Sequence, residues 1–519
     1  MIKGIEHTLG QRLWHFPGGV KLRHYKKMSI GEAIAEAPVP DELLLPLDQS
    51  IGIPSLSVVA PGDAVQKYQR LTRAFEGLGA HLHAPTSGTI TALEETATGL
   101  QLTLKADGRD VGTPMAGLSP WQDQPVASLR QRIFESGVVG LGGALFPTHE
   151  KLKDPDRVRV LIINGAECEP YISCDEMVMR CWPQALLEGT QILAAMVGAE
   201  QVLVAIEDQM GEVEALLNQA VSDVGCPEIR IIKVPTIYPE GGENQLIQVL
   251  TGLEVPADGY PQDIGIVMQN VATAVACRDA VVDGKPLISR VVTVTGHGLE
   301  QPANFHARVG TPLSDLITLA GGYRSQANRL VVGGPMMGQA KEDDGAPTTK
   351  GTNCVLVLNE ADTQTAHPQL PCIRCGDCQR VCPAQLMPQL LMTHIENGDL
   401  DGAGRLHLND CIECGCCAYV CPSQIPLVDY YRYGKHELAM KHRQANAAQS
   451  AKVRFAAHER RLEKQNQARE TALADTQASL DEVDPSQALA AILARKKPNT
   501  PADKHSSHTD NGTDGDAES

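Results

Sequence analysis

The chain has 519 residues, of which 42% are hydrophobic, and a formal net charge of -18. This length is enough for roughly three domains of about 150 residues each, and the acidic balance excludes a general nucleic-acid binder, because contact with phosphates needs clustered cations. No run of about 18 consecutive apolar residues is present, so no transmembrane helix is predicted. The first residues (MIKGIEHTLGQRLWHF) also lack the apolar core of a signal peptide.

Short strand-like runs separated by turn residues fill about residues 40–110. The segment HAPTSGTI (83–90) and the turns before it are similar to the barrel-sandwich domains of lipoyl and biotinyl proteins. Those domains carry a modified lysine where their two halves meet, and no lysine occurs between Lys67 and Lys105. The pattern therefore predicts an unmodified β-domain which, with an extended lead-in, occupies residues 1–120.

Strand and helix patterns alternate over residues 121–285. The apolar runs VRVLIING (158–165), QVLVAI (201–206) and IRIIKV (229–234) are typical of buried strands, and GEVEALLNQAVSDVG (211–225) has helical spacing. Such alternation predicts an α/β domain with a parallel sheet.

Two further regions follow the α/β domain in addition to a cysteine-rich segment. A β-rich stretch begins at VVTVTGHG (291–298) and predicts a small domain over residues 286–345. Residues 436–519 form a polar tail, which is predicted to be charged helix to about 496 and disordered from Pro498 onward.

Nine of the 15 cysteines lie between positions 372 and 421. They belong to two repeats, CIRCGDCQRVCP (372–383) and CIECGCCAYVCP (411–422), each with the spacing Cys-x2-Cys-x2-Cys-x3-Cys-Pro. Three thiolates at this spacing reach three irons of one [4Fe–4S] cluster, and the cysteine before proline reaches the other cluster, as in two-cluster bacterial ferredoxins. The predicted ligands are Cys372, Cys375, Cys378 and Cys421 for one cluster, and Cys411, Cys414, Cys417 and Cys382 for the other.

The alternative for these cysteines is zinc, whose sites use cysteine pairs separated by a longer gap and not quartets that end in Cys-Pro. Cys416 falls outside the ligand spacing and is predicted to be a small packing residue. Two clusters in one ferredoxin-like α+β module, over residues 365–435, favour serial transfer of single electrons.

A glycine-rich segment, GVVGLGGALFPTHEKL (137–152), lies upstream of the cysteines. Glycines let the backbone approach a ligand closely and turn its N–H groups outward, as in anion-binding loops, and Lys151 adds a cation. The alternative is an ordinary tight turn.

Three later segments, NGAECEP (164–170), YPEGGENQL (238–246) and QNVAT (269–273), follow the loop. In this order the four segments resemble the flavin-binding segments of the NADH-oxidising subunit of respiratory complex I. The resemblance implies non-covalent FMN, NADH as substrate and a β-grasp domain at 286–345. The positions that match the family are Gly140, Gly142, Gly143, Phe146, Lys151, Asn164, Glu167, Glu169, Glu243 and Asn270. Three polar residues of its pattern are replaced here by Ala166, Gly242 and Gln269.

The whole order of segments resembles the RnfC family, a component of the Rnf/Rsx ion-translocating electron-transport complex. This resemblance implies a multidomain α/β chain on the cytoplasmic face of the bacterial inner membrane, peripheral to it. There it would pass electrons between NADH, through FMN, and the membrane subunits, with ferredoxin as an indirect partner and no catalytic side chain. The alternatives are a soluble cobalamin reductase of the microcompartment kind and a docking protein whose clusters only relay electrons.

Overall fold

The structure is a computed structural model that describes residues 9–75, 77–96, 99–153, 157–257, 259–363, 368–481 and 484–495. The chain divides into two compact units, Met1–Leu438 and Ala439–Ser519. The four sheets of the described residues and both candidate cofactor sites lie in the first unit. Among the described helices, none is both long and apolar enough to cross a bilayer.

The N-terminal region forms a four-stranded antiparallel sheet of order β2-β7-β6-β4 and a two-stranded sheet, β3-β5. Alternate residues of its strands point inward, so Leu43, Leu45, Leu102 and Leu104 are fully buried. This agrees with the predicted β-domain. The strands are β1 (Ala35–Glu36), β2 (Glu42–Pro46), β3 (Leu56–Ser57), β4 (Ala64–Val65), β5 (Thr72–Arg73), β6 (Gly88–Thr96) and β7 (Gly99–Ala106).

The α/β region is built on a parallel sheet of order β10-β9-β8-β11. Both faces are covered: Leu161 and Ile163 join one apolar cluster with helices α4 and α5, and Val160 and Ile162 join another with α6. The elements are α1 (Val126–Glu135), α2 (Thr148–Lys151), β8 (Val160–Gly165), α3 (Cys174–Cys181), α4 (Pro183–Val197), β9 (Gln201–Glu207), α5 (Gly211–Val224), β10 (Ile229–Val234), α6 (Glu243–Thr251), β11 (Ile266–Asn270) and α7 (Val271–Val282).

The β-grasp region is a six-stranded sheet of order β1-β13-β12-β16-β14-β15. It includes β1 from the lead-in, which pairs in parallel with β13. It also includes β16 from beyond residue 345, which pairs in parallel with β12 and antiparallel with β14. Helix α8 packs Leu313, Leu316 and Ile317 against this sheet. The elements are β12 (Ser289–Thr295), β13 (Ala303–Arg308), α8 (Leu313–Leu319), β14 (Ala327–Val332), β15 (Gln339–Lys341), β16 (Cys354–Asn359) and α9 (Glu360–Thr363).

The cysteine-rich module contains short helices and continues into a long one. The tail is helical where it was predicted to be, and the segment from Pro498 onward lies outside the described residues. The helices are α10 (Asp377–Arg380), α11 (Pro388–Glu396), α12 (Leu400–Arg405), α13 (Cys416–Tyr419), α14 (Leu427–Asp481) and α15 (Pro485–Arg495).

Candidate cofactor sites

The two cysteine repeats share one backbone conformation. Positive φ angles occur at Arg374 and Gly376 in the first repeat, and at the equivalent Glu413 and Gly415 in the second. A short helix begins directly after each glycine, α10 in the first repeat and α13 in the second. The repeated sequence therefore builds two equivalent cysteine loops, as the two-cluster arrangement requires.

A cavity that is partly open to solvent lies between the repeats. It is lined by Cys382, Cys411, Cys414 and Cys417, which are the four predicted ligands of one cluster, and we call them the inner cysteines. Four thiols around an otherwise mainly apolar cavity fit a [4Fe–4S] cluster, because thiolates are its protein ligands. The remaining wall includes Leu386, Leu391, Ile412, Val428 and Tyr431.

The other four predicted ligands lie nearer the surface. Cys372 and Cys375 are exposed and Cys378 and Cys421 are partly buried, and we call these four the outer cysteines. The outer set thus contains two exposed cysteines and the inner set two buried ones, a difference that the spacing alone does not predict.

Backbone N–H groups point at cysteine sulfur atoms in both loops. Arg374 N donates to Cys372 Sγ, and Glu413 N donates to Cys411 Sγ, each at 3.4 Å. Hydrogen bonds to sulfur are among the factors that set cluster potentials. These N–H groups therefore stabilise negative charge on the cysteine sulfur atoms, in addition to the loops bringing the thiols together.

The glycine-rich segment folds into a tight loop with an exposed tip. Gly140 N donates to Phe146 O at 2.8 Å, and Leu145 N donates back to Gly140 O at 3.2 Å. At the tip, Gly143 has a φ of +109° and open space on its Cβ side, whereas a Cβ on Gly142 would lie 3.3 Å from Asn270 Cβ. The tip therefore presents bare backbone, as an anion-binding loop does.

Two predicted residues meet at the edge of the sheet beside this loop. Asn164 and Asn270 are register partners at the carboxyl ends of β8 and β11, where the strand order reverses direction around β8. Ligands of open α/β sheets bind at such a switch point. Asn270 Oδ1 caps α7 by accepting from Ala272 N at 2.8 Å, and Asn164 Nδ2 donates to Gly241 O at 2.9 Å.

Lys151 and Glu243 form an ion pair of 2.7 Å. Lys151 follows the glycine-rich loop, and Glu243 is the first residue of α6, so the pair joins two segments that were predicted separately. The lysine side chain is 24% exposed, which leaves the ammonium group accessible to a phosphate. A bare loop and one accessible cation fit the phosphate end of FMN.

The structure places Glu167 and Glu169 in other roles as well. Glu167 is buried, accepts from Asp175 N at 3.0 Å at the start of α3, and lies 3.6 Å from Lys26 Nζ. Glu169 accepts from Met336 N at 2.8 Å and from Met337 N at 3.0 Å. Their oxygens thus fix neighbouring segments, and their contact with FMN or NADH stays a prediction.

The sequence did not predict Asp175. Its Oδ2 accepts from Asn270 Nδ2 at 2.5 Å, while its Oδ1 has no hydrogen-bond partner among the described residues. Burial, with Glu167 nearby, raises the pKa of the Asp175 carboxyl. No spacing rule could have found it, because it is one acidic residue among several in a helical segment.

The segment YPEGGENQL (238–246) also contains a buried carboxyl group, that of Glu240. Glu240 is 1% exposed, and neither of its carboxyl oxygens has a hydrogen-bond partner of normal geometry among the described residues. Burial, followed by the charges of Glu207 and Asp208, raises its pKa to about 8. Nearby, Lys26 lies 3.7 Å from Glu207. The raised pKa favours the protonated form of Glu240 at neutral pH.

This raised pKa predicts a pH-dependent stability. Between about pH 5 and about pH 8 the folded protein keeps a proton that the unfolded chain has already lost, so the free energy of unfolding falls as pH rises through that window. Glu240→Gln should remove this fall and raise stability above pH 8 by on the order of 2 to 4 kcal/mol. Thermal unfolding at several pH values measures it, with exposed Glu228→Gln as the control. Equal pH profiles for wild type and Glu240→Gln would contradict it.

The α/β region contacts the module at the inner cysteines. Tyr238 OH donates to Cys414 O at 2.7 Å. Val20 pairs with Tyr238 through two backbone hydrogen bonds, and Gly19 N donates to Val381 O, next to Cys382, at 3.0 Å. The segment that carries Glu243 is therefore directly joined to the loop of the inner cysteines.

Models of known domains match four parts of this chain. The Nuo51 FMN-binding domain matches residues 133–279, and the RnfC barrel sandwich hybrid domain matches residues 14–106. The SLBB domain matches residues 291–340, and the 4Fe-4S dicluster domain matches residues 367–448.

A similar relative is the RnfC component of the ion-translocating oxidoreductase complex of Yersinia enterocolitica. It is 41% identical over 501 residues, covering 94% of this chain and 71% of the relative. The chain belongs to the RnfC family. The Pseudomonas aeruginosa member is 42% identical over 463 residues, covering 88% of this chain. The chain spans 59% of that relative's length and 58% of the Erwinia tasmaniensis member.

These matches confirm the predicted fold class and cofactor set. The FMN-binding domain and the dicluster domain cover the glycine-rich loop and all eight predicted cysteine ligands, so FMN and two [4Fe–4S] clusters are the cofactors. Among solved structures, the NAD+-reducing [NiFe]-hydrogenase in the H2-reduced state is similar at a TM-score of 0.43 and 19% identity, covering 64% of this chain and 69% of that one.

Proposed function

We propose that this protein is a peripheral electron-transfer subunit of a membrane-bound ion-translocating oxidoreductase, on the cytoplasmic face of the inner membrane. It exchanges electrons between NADH and the other subunits of the complex, and ferredoxin is an indirect partner. The observation that carries the proposal is the direct contact of the FMN-binding region with the inner cysteines, through Tyr238 and Cys414.

We propose that the glycine-rich tip and Lys151 hold the FMN phosphate, and that Glu243 fixes the position of Lys151. Asn164 and Asn270, at the edge of the sheet, orient the flavin end of FMN. Bound FMN supplies the conversion between a two-electron hydride and single electrons, which the clusters carry. The eight cysteines hold the clusters at two depths, one against the FMN-binding region and one near the surface.

The test is anaerobic purification with iron, sulfide and flavin analysis, followed by addition of NADH while the visible spectrum is recorded. About eight irons and one FMN per chain, with bleaching by NADH, are expected. Eight irons without flavin and without bleaching would leave a cluster-only relay and would exclude NADH as the electron donor. Bleaching accompanied by reduction of added cob(II)alamin would instead support the cobalamin reductase alternative.

Tyr238→Phe tests the contact that carries the proposal. The variant keeps the ring but leaves the buried Cys414 carbonyl without its donor, which costs about 1 to 3 kcal/mol. We expect the clusters to be lost at lower temperature during anaerobic heating, as measured by visible absorbance. Tyr433→Phe is the matched control, since Tyr433 is 58% exposed. Equal loss temperatures in the two variants would show that the hydroxyl does not stabilise the module.

A further inference from the structure

The two cysteine repeats have equivalent faces. Each residue of the first repeat has a counterpart 39 positions later, so that Ile373 corresponds to Ile412 and Cys375 to Cys414. Because their positive φ angles also coincide, corresponding side chains occupy corresponding places on the two loops. The contacts that cover the loop of one repeat therefore indicate what kind of surface can bind the loop of the other repeat.

The face around Cys414 is covered by the rest of the chain, and we call it the inner face. Ile412 and Cys414 belong to an apolar cluster with Tyr238 and Met336. Cys414 is only 7% exposed. The FMN-binding and β-grasp regions thus exclude water from this loop.

The corresponding outer face is uncovered. Ile373 is 68% exposed and Cys375 is exposed, although their counterparts are partly or fully buried. Tyr419 and Leu370, which adjoin the outer cysteines in sequence, are 59% and 55% exposed. Exposed large apolar side chains close to a redox site are typical of an interaction surface.

The charges of the two faces also differ. On the inner side, Glu413 is neutralised by Arg432 at 3.0 Å and by Lys435 at 2.9 Å. Its counterpart Arg374 is exposed and has no ion pair within the part of the chain that the structure describes. The outer face therefore offers a free cation in a chain whose net charge is -18, and a partner with a carboxylate at that place complements it.

We propose that the outer face, formed by Ile373, Arg374, Cys375 and Tyr419, is the docking surface for a second redox protein of the complex. The occupant has a one-electron centre behind an apolar surface that carries acidic side chains. It covers Ile373 as the FMN-binding region covers Ile412. One electron crosses the interface at a time, in either direction, and no bond is made or broken. The proposal rests on the proposed function, and it names the surface at which electrons leave or enter this protein.

The test uses the intact complex that contains this protein and an Ile373→Asp variant. A carboxylate in the middle of the apolar contact should lower NADH-driven electron flux into the other subunits by on the order of tenfold. Reduction of ferricyanide by NADH, which needs only the isolated chain, and the iron content should stay unchanged. Tyr260→Asp is the control, because Tyr260 is 68% exposed and lies in the α/β region.

Two further measurements keep the proposal falsifiable if Ile373→Asp disturbs the module. Arg374→Glu should lower the same flux at low salt and lose the salt dependence of the wild type. A photo-crosslinking residue at 373 should capture a cofactor-containing protein of the complex, and one at 260 should not. Unchanged flux in both variants, or capture only of a second copy of this chain, would overturn the docking surface. Absence of ferricyanide reduction in the wild type would instead overturn the proposed function.

Discussion

A Cys414→Ala variant is expected to contain about four irons per chain instead of about eight. Cys414 is 7% exposed and shares a cavity with three other predicted ligands, so its loss leaves the inner site one thiolate short. The variant should still be bleached by NADH in its flavin band, while the remaining cluster is reduced slowly. The module should also be less stable, because cluster-binding energy is folding energy there.

The complementary variant is Cys375→Ala, which removes an outer ligand. It should also lose about half of the iron, but its inner cluster should remain reducible by NADH. Electron paramagnetic resonance of samples frozen after NADH addition distinguishes the two variants. Cys416→Ala is the matched control: Cys416 is fully buried beside two ligands and is not predicted to bind iron. Full iron content in Cys414→Ala, or loss of iron in Cys416→Ala, would contradict the ligand assignment.

Lys151→Gln is expected to weaken FMN binding by roughly 10- to 100-fold, because a charge-assisted hydrogen bond to a phosphate contributes about 1.5 to 3 kcal/mol. The substitution also leaves Glu243 without its partner, so a carboxylate then faces the phosphate. Fluorescence quenching of FMN on flavin-depleted protein measures the dissociation constant.

Two comparisons separate this effect from a general loss of charge. Lys153→Gln removes a lysine that is 55% exposed and paired with Glu150, and FMN affinity should not change. The double variant Lys151→Gln/Glu243→Gln should recover part of the lost affinity, since it removes the repelling carboxylate. A similar loss of affinity in both lysine variants would rule out a specific role for Lys151.

The strands that carry the site could be predicted because their sequences have the apolar pattern of buried strands. Apolar residues occur on both faces of VRVLIING, QVLVAI and IRIIKV, which suits strands covered by helices on both sides. Each became a strand within two residues of its predicted bounds. The cysteine spacing was equally informative, since few sites need four thiolates followed by proline. In these segments the local sequence pattern was enough to predict both the structure and the candidate site.

The roles of Glu167 and Glu169 could not be predicted in the same way. Both lie in a motif that matches a flavin-binding family, yet Glu167 contacts the start of α3 and Glu169 contacts the backbone of Met336 and Met337. Those partners are brought there by packing between regions that are distant in sequence. Motif matching gives the position of a carboxylate on the chain and not the donors around it.

The depth of the two cysteine sets is another property that the sequence does not contain. The two repeats are so alike that neither can be assigned to the FMN-binding side from its residues. The distinction arises from Tyr238, which lies 176 positions before Cys414. It is therefore a property of the assembled chain.

The lead-in around Gly19, Val20 and Lys26 has a consequence for biosynthesis. Gly19 bonds to Val381, Val20 bonds to Tyr238, and Lys26 pairs with Glu167 and Glu207. These residues precede the cysteine-rich module in the chain, and the contact with Val381 cannot close until more than 350 residues after Gly19 have been made. Long-range contacts of this kind form slowly. The joint between the FMN-binding region and the inner cysteines is therefore completed late, after the cysteine-rich module has emerged.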